Sequence, residues 1–398
     1  MKSLFLTSSF PKQSCDVSGV FIHDLAVSLI DKGIDVVVLA PHHKECPFFE
    51  VFNGIRVYRF PYFVPFGLQR LAYGAGIIKN IKKSFPLVAL VPFFIVSQLA
   101  AALWVARKEK IDLIHAHWSI PQGVIGVLLK TLVKKPCITT IHGSDVFSLK
   151  GGFANRFNKL VYSLSDCVTV NSSATSDVVK TLSPGVLLSK LPMGVDPDSF
   201  YYKDRSSTSY SGVKRVLFVG RLIEWKGVDY LIKAVEIVCK YYPETQLILI
   251  GDGPEKPLLE NLGNDLGLGQ NITFVGNVPH EDVVEYYHAS DVFVIPSIVS
   301  DSGETEGLGV VTLEAMACGV PVVGSRVGGI PDVVVDGVTG LLSEPKDPQS
   351  IAACILRLID DRELSMILLR QARENVESGY SWSCISDRLV HIYSCLGD

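Results

Sequence analysis

The segment Gly303-Glu-Thr-Glu-Gly-Leu-Gly-Val-Val-Thr-Leu-Glu-Ala-Met-Ala-Cys-Gly319 sets Glu306 and Glu314 eight positions apart. Glu306 stands in a glycine-flanked loop after an apolar run ending at Pro296, and a helix is expected from near Gly309 to Gly319. The amides of Gly307, Leu308 and Gly309 then fall at a helix amino terminus, which can receive an anion such as a diphosphate, or a sugar hydroxyl. Eight residues span roughly 12 Å if helical throughout, and less with a loop turn. That separation suits one carboxylate on a sugar and another on a ribose, with the diphosphate between. Paired glutamates are common on solvated helices, so it is the glycine loop before an apolar helix that carries the functional reading.

A second cluster is Gly220-Arg221 after an apolar run, with Lys226-Gly227 opening the next helix. Arginine offers a planar fork and lysine a mobile point charge, both suited to a diphosphate leaving group. A cation at a helix start opposes the helix dipole, which makes Lys226 more informative than an ordinary surface lysine. His142, in Thr140-Ile-His-Gly-Ser-Asp145, is placed to bind a sugar hydroxyl or shape a reacting centre, with Gly143 admitting a close backbone approach. His115 and His117 have the spacing of half a metal site but lack a third ligand, and structural packing is the reading adopted. The Ser18-Gly19-Val20 turn can set amides against phosphates. Asp196-Pro197-Asp198 imitates a metal-binding Asp-x-Asp but sits in a turn, and no metal is inferred.

The elements that must position these residues are legible as a pattern that begins twice. Lys2–Thr7 reads as a strand, followed by a loop to Ser18-Gly19, a helix with Phe21, Leu25, Ala26 and Leu29 on one face, and a strand from Ile34 to Ala40. Arg215–Val219 starts the same succession, with a loop to Lys226-Gly227, a helix through Val228, Leu231, Ile232, Val235 and Val238, and a strand at Leu247–Ile250. Strand, helix, strand is the βαβ unit of a parallel sheet, so two α/β domains are expected. The polar stretch 201–212 reads as their linker, giving domains at 1–200 and 213–380 and a terminal amphipathic helix at 381–398. Further buried strands are expected at Leu113–His115, Ile138–Ile141, Cys167–Val170, Ile272–Val275, Val292–Ile295 and Val320–Val323. Ligands of open α/β sheets lie beyond the carboxyl ends of the strands, where all the candidate residues fall.

A chain of 398 residues with 48% hydrophobic and 20% charged residues is globular, and its net charge of −4 gives no global bias toward nucleic acid. The nine cysteines are odd in number and form no C-x-x-C, as expected of reduced thiols in a cytoplasmic protein. The apolar start is too short for a signal peptide. Phe85 to Ala106 has the length of a membrane span, but Pro86, Pro92, Ser97 and Gln98 favour a buried or interfacial helix. From Val51 to Lys108 there is no Asp or Glu, while Arg56, Arg59, Arg70, Lys79, Lys82, Lys83, Arg107 and Lys108 are basic. Phe60, Tyr62, Phe63, Phe66, Leu68, Leu71 and Tyr73 interleave with them, so residues 51–108 suit an anionic membrane surface, and the loop before the apolar run is the favoured contact.

Taken as a set, these motifs resemble the retaining glycosyltransferases of GT-B architecture, the glycogen-synthase-like family four, also called group 1. The resemblance covers nearly the whole chain through Asp112-Leu-Ile-His-Ala-His-Trp118, His142-Gly-Ser-Asp145, Gly194-Val-Asp196, Gly220-Arg221, Lys226-Gly227, Gly251-Asp-Gly253, Glu306, Glu314 and Ala315-Met-Ala-Cys-Gly-Val-Pro-Val-Val323. It implies two Rossmann-like domains facing across a cleft, with the last helix returning to the first. It implies a nucleoside-diphosphate sugar as donor, bound by Gly19, Arg221, Lys226, Glu306, Gly307, Leu308, Gly309 and Glu314, and a catalytic set of His142, Glu306, Arg221 and Lys226. Glu306 would touch the donor sugar, Glu314 the ribose, and Arg221 with Lys226 the diphosphate. The donor-side turn is usually Gly-Gly, and Ser18-Gly19 departs from it. No metal or other cofactor is expected, nor a nucleic-acid partner. The acidic-residue gap in the acceptor-side domain points to a lipid-linked saccharide acceptor. The rival readings are a sugar-nucleotide epimerase or hydrolase on the same fold and a non-catalytic binding homologue. A dehydrogenase is disfavoured because no G-x-G-x-x-G follows the first strand.

Overall fold

The computed structural model describes residues 1–398 except 13–18, 75, 149–150, 204–211 and 398, so Ser18 and most of the expected linker lie outside the described residues. The chain divides into two compact units. The first comprises Met1–Asn171, Thr175–Pro192 and Trp382–Asp398, and the second Ser172–Ala174 with Met193–Ser381.

The first unit runs β1 (Lys2–Leu6), α1 (Val20–Asp31), β2 (Asp35–Pro41), β3 (Phe49–Phe52), β4 (Ile55–Phe60), α2 (Ile77–Lys83), α3 (Val91–Glu109), β5 (Leu113–His117) and α4 (Val124–Val133). It continues through β6 (Cys137–Ile141), α5 (Ser144–Phe147), α6 (Gly152–Leu164), β7 (Cys167–Val170), α7 (Ser173–Leu182) and β8 (Leu188–Lys190). Its sheet has the order β3-β4-β2-β1-β5-β6-β7-β8, parallel except where β3 meets β4. The inner strands are apolar runs because helices cover both faces. On α1 the buried stripe is Ile22, Leu25, Ala26 and Leu29. Phe21, expected on that stripe, instead turns toward Trp118 and His142.

The β3–β4 hairpin replaces the start of the basic loop expected over residues 51–108. Its two-residue turn is Asn53-Gly54, with positive φ at both positions, and Phe52 pairs with Ile55. This is the mirror-image turn that matches strand twist, and Asn-Gly between apolar runs was the available signal for it. Arg56 and Arg59 therefore stand on a strand, and internal carboxylates neutralise both. Arg56 reaches Asp35 at 2.6 Å and Glu109 at 2.9 Å, while buried Arg59 reaches Glu50 at 2.7 Å.

The second unit runs β9 (Arg215–Val219), α8 (Val228–Cys239), β10 (Gln246–Ile250), α9 (Lys256–Asp265), β11 (Ile272–Gly276), α10 (Val283–Ala289) and β12 (Val292–Ile295). Then come α11 (Val310–Ala317), β13 (Val322–Ser325), α12 (Ile330–Val333), β14 (Leu341–Ser343), α13 (Pro348–Asp360) and α14 (Arg362–Gly379). The sheet order is β11-β10-β9-β12-β13-β14 and every pairing is parallel. The last helix, α15 (Trp382–Gly397), belongs to the first unit, where Ile385, Leu389 and Tyr393 pack with the buried face of α1. Ser28 Oγ on α1 lies 3.0 Å from Trp382 O and 2.9 Å from Ser386 Oγ.

Both sheets are doubly wound. Strand order reverses between β1 and β5 in the first unit and between β9 and β12 in the second. Such a reversal opens a crevice outside the carboxyl ends of the two diverging strands, because their connections leave to opposite faces.

Candidate active site

In the second unit, the loop after β9 carries Gly220, Arg221 and Lys226, and the loop after β12 carries Glu306. The two loops meet at the switch point, where Lys226 Nζ donates to Glu306 Oε2 at 2.5 Å. Gly227 makes that approach possible. It caps α8 with φ +64°, and a Cβ there would fall 2.1 Å from Pro296 O. The Lys226 ammonium also lies 4.7 Å from the centre of the Trp225 ring. Ser297 Oγ is 3.5 Å from the same Glu306 oxygen. The sequence places Glu306 in a glycine-flanked loop and Lys226 at a helix start, positions where exposed side chains are usual. Glu306 is instead buried, and its side chain and that of Lys226 keep only about a tenth of their surface. Arg221 is exposed and forms no ion pair among the described residues.

The helix after Glu306 begins at Val310 with Gly309 as its cap, so the eight residues from Glu306 to Glu314 are loop first and helix second. The Leu308 side chain is buried in the core, leaving only backbone to offer at that position. Thr312 N–H donates to Gly309 O at 2.8 Å, so the amides ahead of it, from Gly307 to Val311, are the anion-receiving end of the loop. Glu314 turns inward and is already held. Tyr287 Oη donates to its Oε2 at 2.9 Å, and His280 Nε2 lies 3.1 Å from Oε1. Burial, with the Glu314 carboxylate second, pushes the Tyr287 phenol well above its ordinary pKa, so Tyr287 stays a donor.

Trp225, His280, Tyr287 and Ser297 escaped the sequence reading, and so did a glycine pair. Gly329 N–H donates to Glu306 O at 3.0 Å, and a Cβ on Gly328 would fall 2.1 Å from that oxygen. The Gly328-Gly329 turn after β13 thus fixes the Glu306 backbone. Its signal was the glycine pair following a buried apolar strand.

The first unit has its own polar group at the β1/β5 reversal. Gly19 caps α1 with φ +76°, and a Cβ there would fall 2.5 Å from Ser9 O. His142 follows β6 and packs its ring 5.0 Å from both Phe21 and Trp118. Its Nε2 lies 3.2 Å from His117 Nδ1, and its Nδ1 has no hydrogen-bond partner among the described residues. His115 is buried between Tyr393 Oη and Thr140 Oγ1, each at 2.6 Å, and stacks on His117. His115 and His117 are thus packing and positioning groups behind His142. Burial pushes all three imidazoles below their ordinary pKa and keeps them neutral.

Asp145 closes the group. Its carboxylate accepts from Ser119 N at 3.0 Å and His142 N at 3.2 Å, while burial pushes its pKa up to about 6. A cavity of about 240 Å³ opens here, lined by Ser8, Ser9, Tyr73, Ile77, Trp118 and Asp145 among others. Tyr73 and Trp118 both hold positive φ, 69° and 72°, a strain that bulky residues adopt only where the surroundings impose it. Sequence reasoning did not find this cavity, because Tyr73 and Ile77 reach it from a loop and helix far from β1 and β5 in sequence.

Comparison with known proteins bears on this geometry. Residues 202–375 match the family described as "Glycosyl transferases group 1", and residues 18–199 match "Glycosyltransferase Family 4". The chain is 30% identical, over 69% of its length and 74% of the relative's, to the GDP-mannose-dependent alpha-(1-6)-phosphatidylinositol monomannoside mannosyltransferase of Mycolicibacterium smegmatis. Among solved structures it is similar to sucrose-phosphate synthase from Thermosynechococcus elongatus, with TM-score 0.80 and 25% identity over 99% of this chain and 98% of that one. It also shares the fold of the Anabaena HepE protein in complex with UDP-glucose, with TM-score 0.72 and 22% identity over the full length of both chains.

Proposed function

The chain belongs to the group 1 glycosyltransferases, and from that premise we propose that it moves a sugar from a nucleoside-diphosphate donor to a hydroxyl acceptor with retention of configuration. The observation that carries this reading is the Lys226–Glu306 contact at the β9/β12 switch point, on the loop that also carries exposed Arg221, which forms no ion pair among the described residues, and next to the amino end of α11. Two cations and the amides of a helix start match a diphosphate, and a carboxylate beside them matches the hydroxyls of the attached sugar.

In this reading Arg221 and Lys226 hold the diphosphate, Gly307, Leu308 and Gly309 present backbone to the donor, Glu306 binds the sugar and Glu314 the ribose. Gly19 offers its amide to the phosphates. The anomeric C–O bond to the diphosphate breaks and a C–O bond to the acceptor forms on the same face. The acceptor proton passes to the departing diphosphate oxygen, so no side-chain base is needed. Fixed cations stabilise the charge that grows on that oxygen, and they do so without a metal. Neutral His142 serves as a hydrogen-bonding partner for the reacting sugar.

The acceptor in this reading is a lipid-linked saccharide of a surface polysaccharide or glycolipid, and the enzyme is peripheral on the cytoplasmic face of a membrane. The Mycolicibacterium relative, named for a phosphatidylinositol monomannoside acceptor, supports that class. The test is a thermal-stability screen of nucleotide sugars, followed by transfer assays with the stabilising donor. Acceptor-dependent release of nucleoside diphosphate, persisting in chelator, with retained configuration by NMR, is expected. Turnover of the donor at the same rate without any acceptor would assign a hydrolase or epimerase instead.

A further inference from the structure

The acid-free stretch from Val51 to Lys108 is used unevenly by the fold. Arg56 and Arg59 are spent on internal carboxylates, and Phe60, Tyr62, Leu71 and Tyr73 are buried. The outward apolar surface lies further along, on α3. One face of that helix, through Phe94, Ala102 and Val105, belongs to the core of the first unit. The opposite face runs Phe93, Val96, Ala100 and Trp104, at the three- and four-residue steps that align side chains along a helix. Phe93 is 53% exposed, Val96 67% and Trp104 54%, and Phe85, just before the helix, is 79% exposed.

A core helix buries its apolar residues, and a surface helix turns polar ones outward. The Phe85–Glu109 stretch does neither, with a mean hydropathy of 2.2 in its most apolar window and only 28% of that window buried. The Phe63 and Phe93 rings meet at 5.4 Å and extend the patch to the loop tip at Val64, which is 75% exposed. Cations stand at both ends. Exposed Lys82 and Lys83 close α2 just before it, and exposed Arg107 and Lys108 close α3. The Lys108 ammonium sits 4.5 Å above the Trp104 ring, an aromatic–cation pair suited to the boundary between headgroups and acyl chains.

We infer that the outward face of α3, with the loop tip at Phe63 and Val64, is a bilayer-docking surface whose occupant is an anionic membrane. The helix, about 28 Å long at 1.5 Å per residue, lies in the membrane plane. Its apolar face enters the upper acyl region while Lys82, Lys83, Arg107 and Lys108 meet lipid phosphates. A second copy of the chain fits this face poorly. In a two-fold dimer the same stripe meets itself, and parallel or antiparallel alignment alike sets cations against cations with no carboxylate between Val51 and Lys108 to compensate. The inference sharpens the peripheral placement proposed above and does not depend on the transfer chemistry.

The test is co-sedimentation of the full chain with phosphatidylcholine vesicles, with and without a third of phosphatidylglycerol, at low and high salt. Phe93→Asp/Val96→Asp is the test variant, and Leu258→Glu, at an exposed apolar residue of α9, is the control. Binding to anionic vesicles that falls at least tenfold in high salt and in the Phe93/Val96 variant, but not in the control, is expected. Equal binding of wild type and variant would overturn the assignment. So would absent binding together with a dimer by light scattering that the variant dissociates, which would give the face to a second copy. Nucleotide-sugar stabilisation of each preparation is measured alongside. Its loss in wild type would fail the transferase reading alone, and its retention in a variant that no longer binds vesicles shows an intact fold.

Discussion

Lys226 Nζ and Glu306 Oε2 lie 2.5 Å apart, tying the loop after β9 to the loop after β12 at the reversal point of the second sheet. With about a tenth of each side chain exposed, removing one partner strands the other's charge. Glu306→Gln or Lys226→Met should each lower transfer on the order of 10²–10³-fold. Each should also cost about 3 kcal/mol in stability, the lower end for a broken buried pair. The double variant should regain most of the stability and none of the activity. Urea unfolding and initial rates at saturating donor check this, and a double variant as unstable as either single one would contradict the pairing argument.

Glu314 is held by Tyr287 and His280, so its contribution is expected in binding more than in the chemical step. Glu314→Ala should raise KM for the donor by tenfold or more and change kcat much less, the signature of an interaction present before and during the transition state. Tyr287→Phe should weaken donor binding several-fold and cost about 1 kcal/mol for the lost hydrogen bond. An equal fall in kcat with KM unchanged would move Glu314 out of the ribose role.

Gly227 and Gly267 both have φ near +70°, but only Gly227 faces a backbone carbonyl, at 2.1 Å from a built Cβ. Gly267→Ala should cost about 1–2 kcal/mol for the left-handed conformation alone. Gly227→Ala adds a clash with Pro296 O and should cost about 3 kcal/mol or more, with loss of donor-induced stabilisation. Denaturation midpoints of the two variants separate strain from crowding.

His115, His117 and His142 are neutral in the fold, with pKa values below the ordinary 6.5. The unfolded chain takes up protons first as pH falls, so stability is complete above about pH 6.5 and declines below it. Each histidine contributes a slope of about 1.4 kcal/mol per pH unit. Asp145, raised to about 6, acts in the opposite sense, losing stability as pH rises through that value, but it is one group against three. Stability measured between pH 7 and pH 5 should therefore fall with acid, and His115→Gln should remove about one proton from the slope. A flat profile would show that these imidazoles titrate freely.

The strands at Arg215–Val219, Cys167–Val170 and Val292–Ile295 were legible to the residue because a strand covered on both faces must be a continuous apolar run with turn residues after it. The start of α11 was legible because Gly309 punctuates an apolar stretch, while its end falls at Ala317, two residues before the expected Gly319. The strand expected from Val320 starts at Val322, and β3, β4, β8 and β14 went unread. β3, β8 and β14 are short edge strands with weak periodicity, whereas β4 lies inside the sheet and was missed because the Asn53-Gly54 turn was passed over in favour of the charge pattern around it.

Local order and residue type were thus set by the sequence itself. Which strand begins a βαβ unit, where a glycine punctuates, and that Arg221, Lys226, Glu306 and Glu314 follow strand ends are consequences of neighbours in the chain. The tertiary structure alone decided the partners. It brought Lys226 against Glu306 across 80 positions, turned Glu314 onto Tyr287, buried Arg59 against Glu50, and left Phe93 and Val96 facing outward on a helix whose other side is core. Charge and hydropathy are properties of single residues, whereas neutralisation and burial depend on what the fold sets opposite them, and no window of sequence contains that.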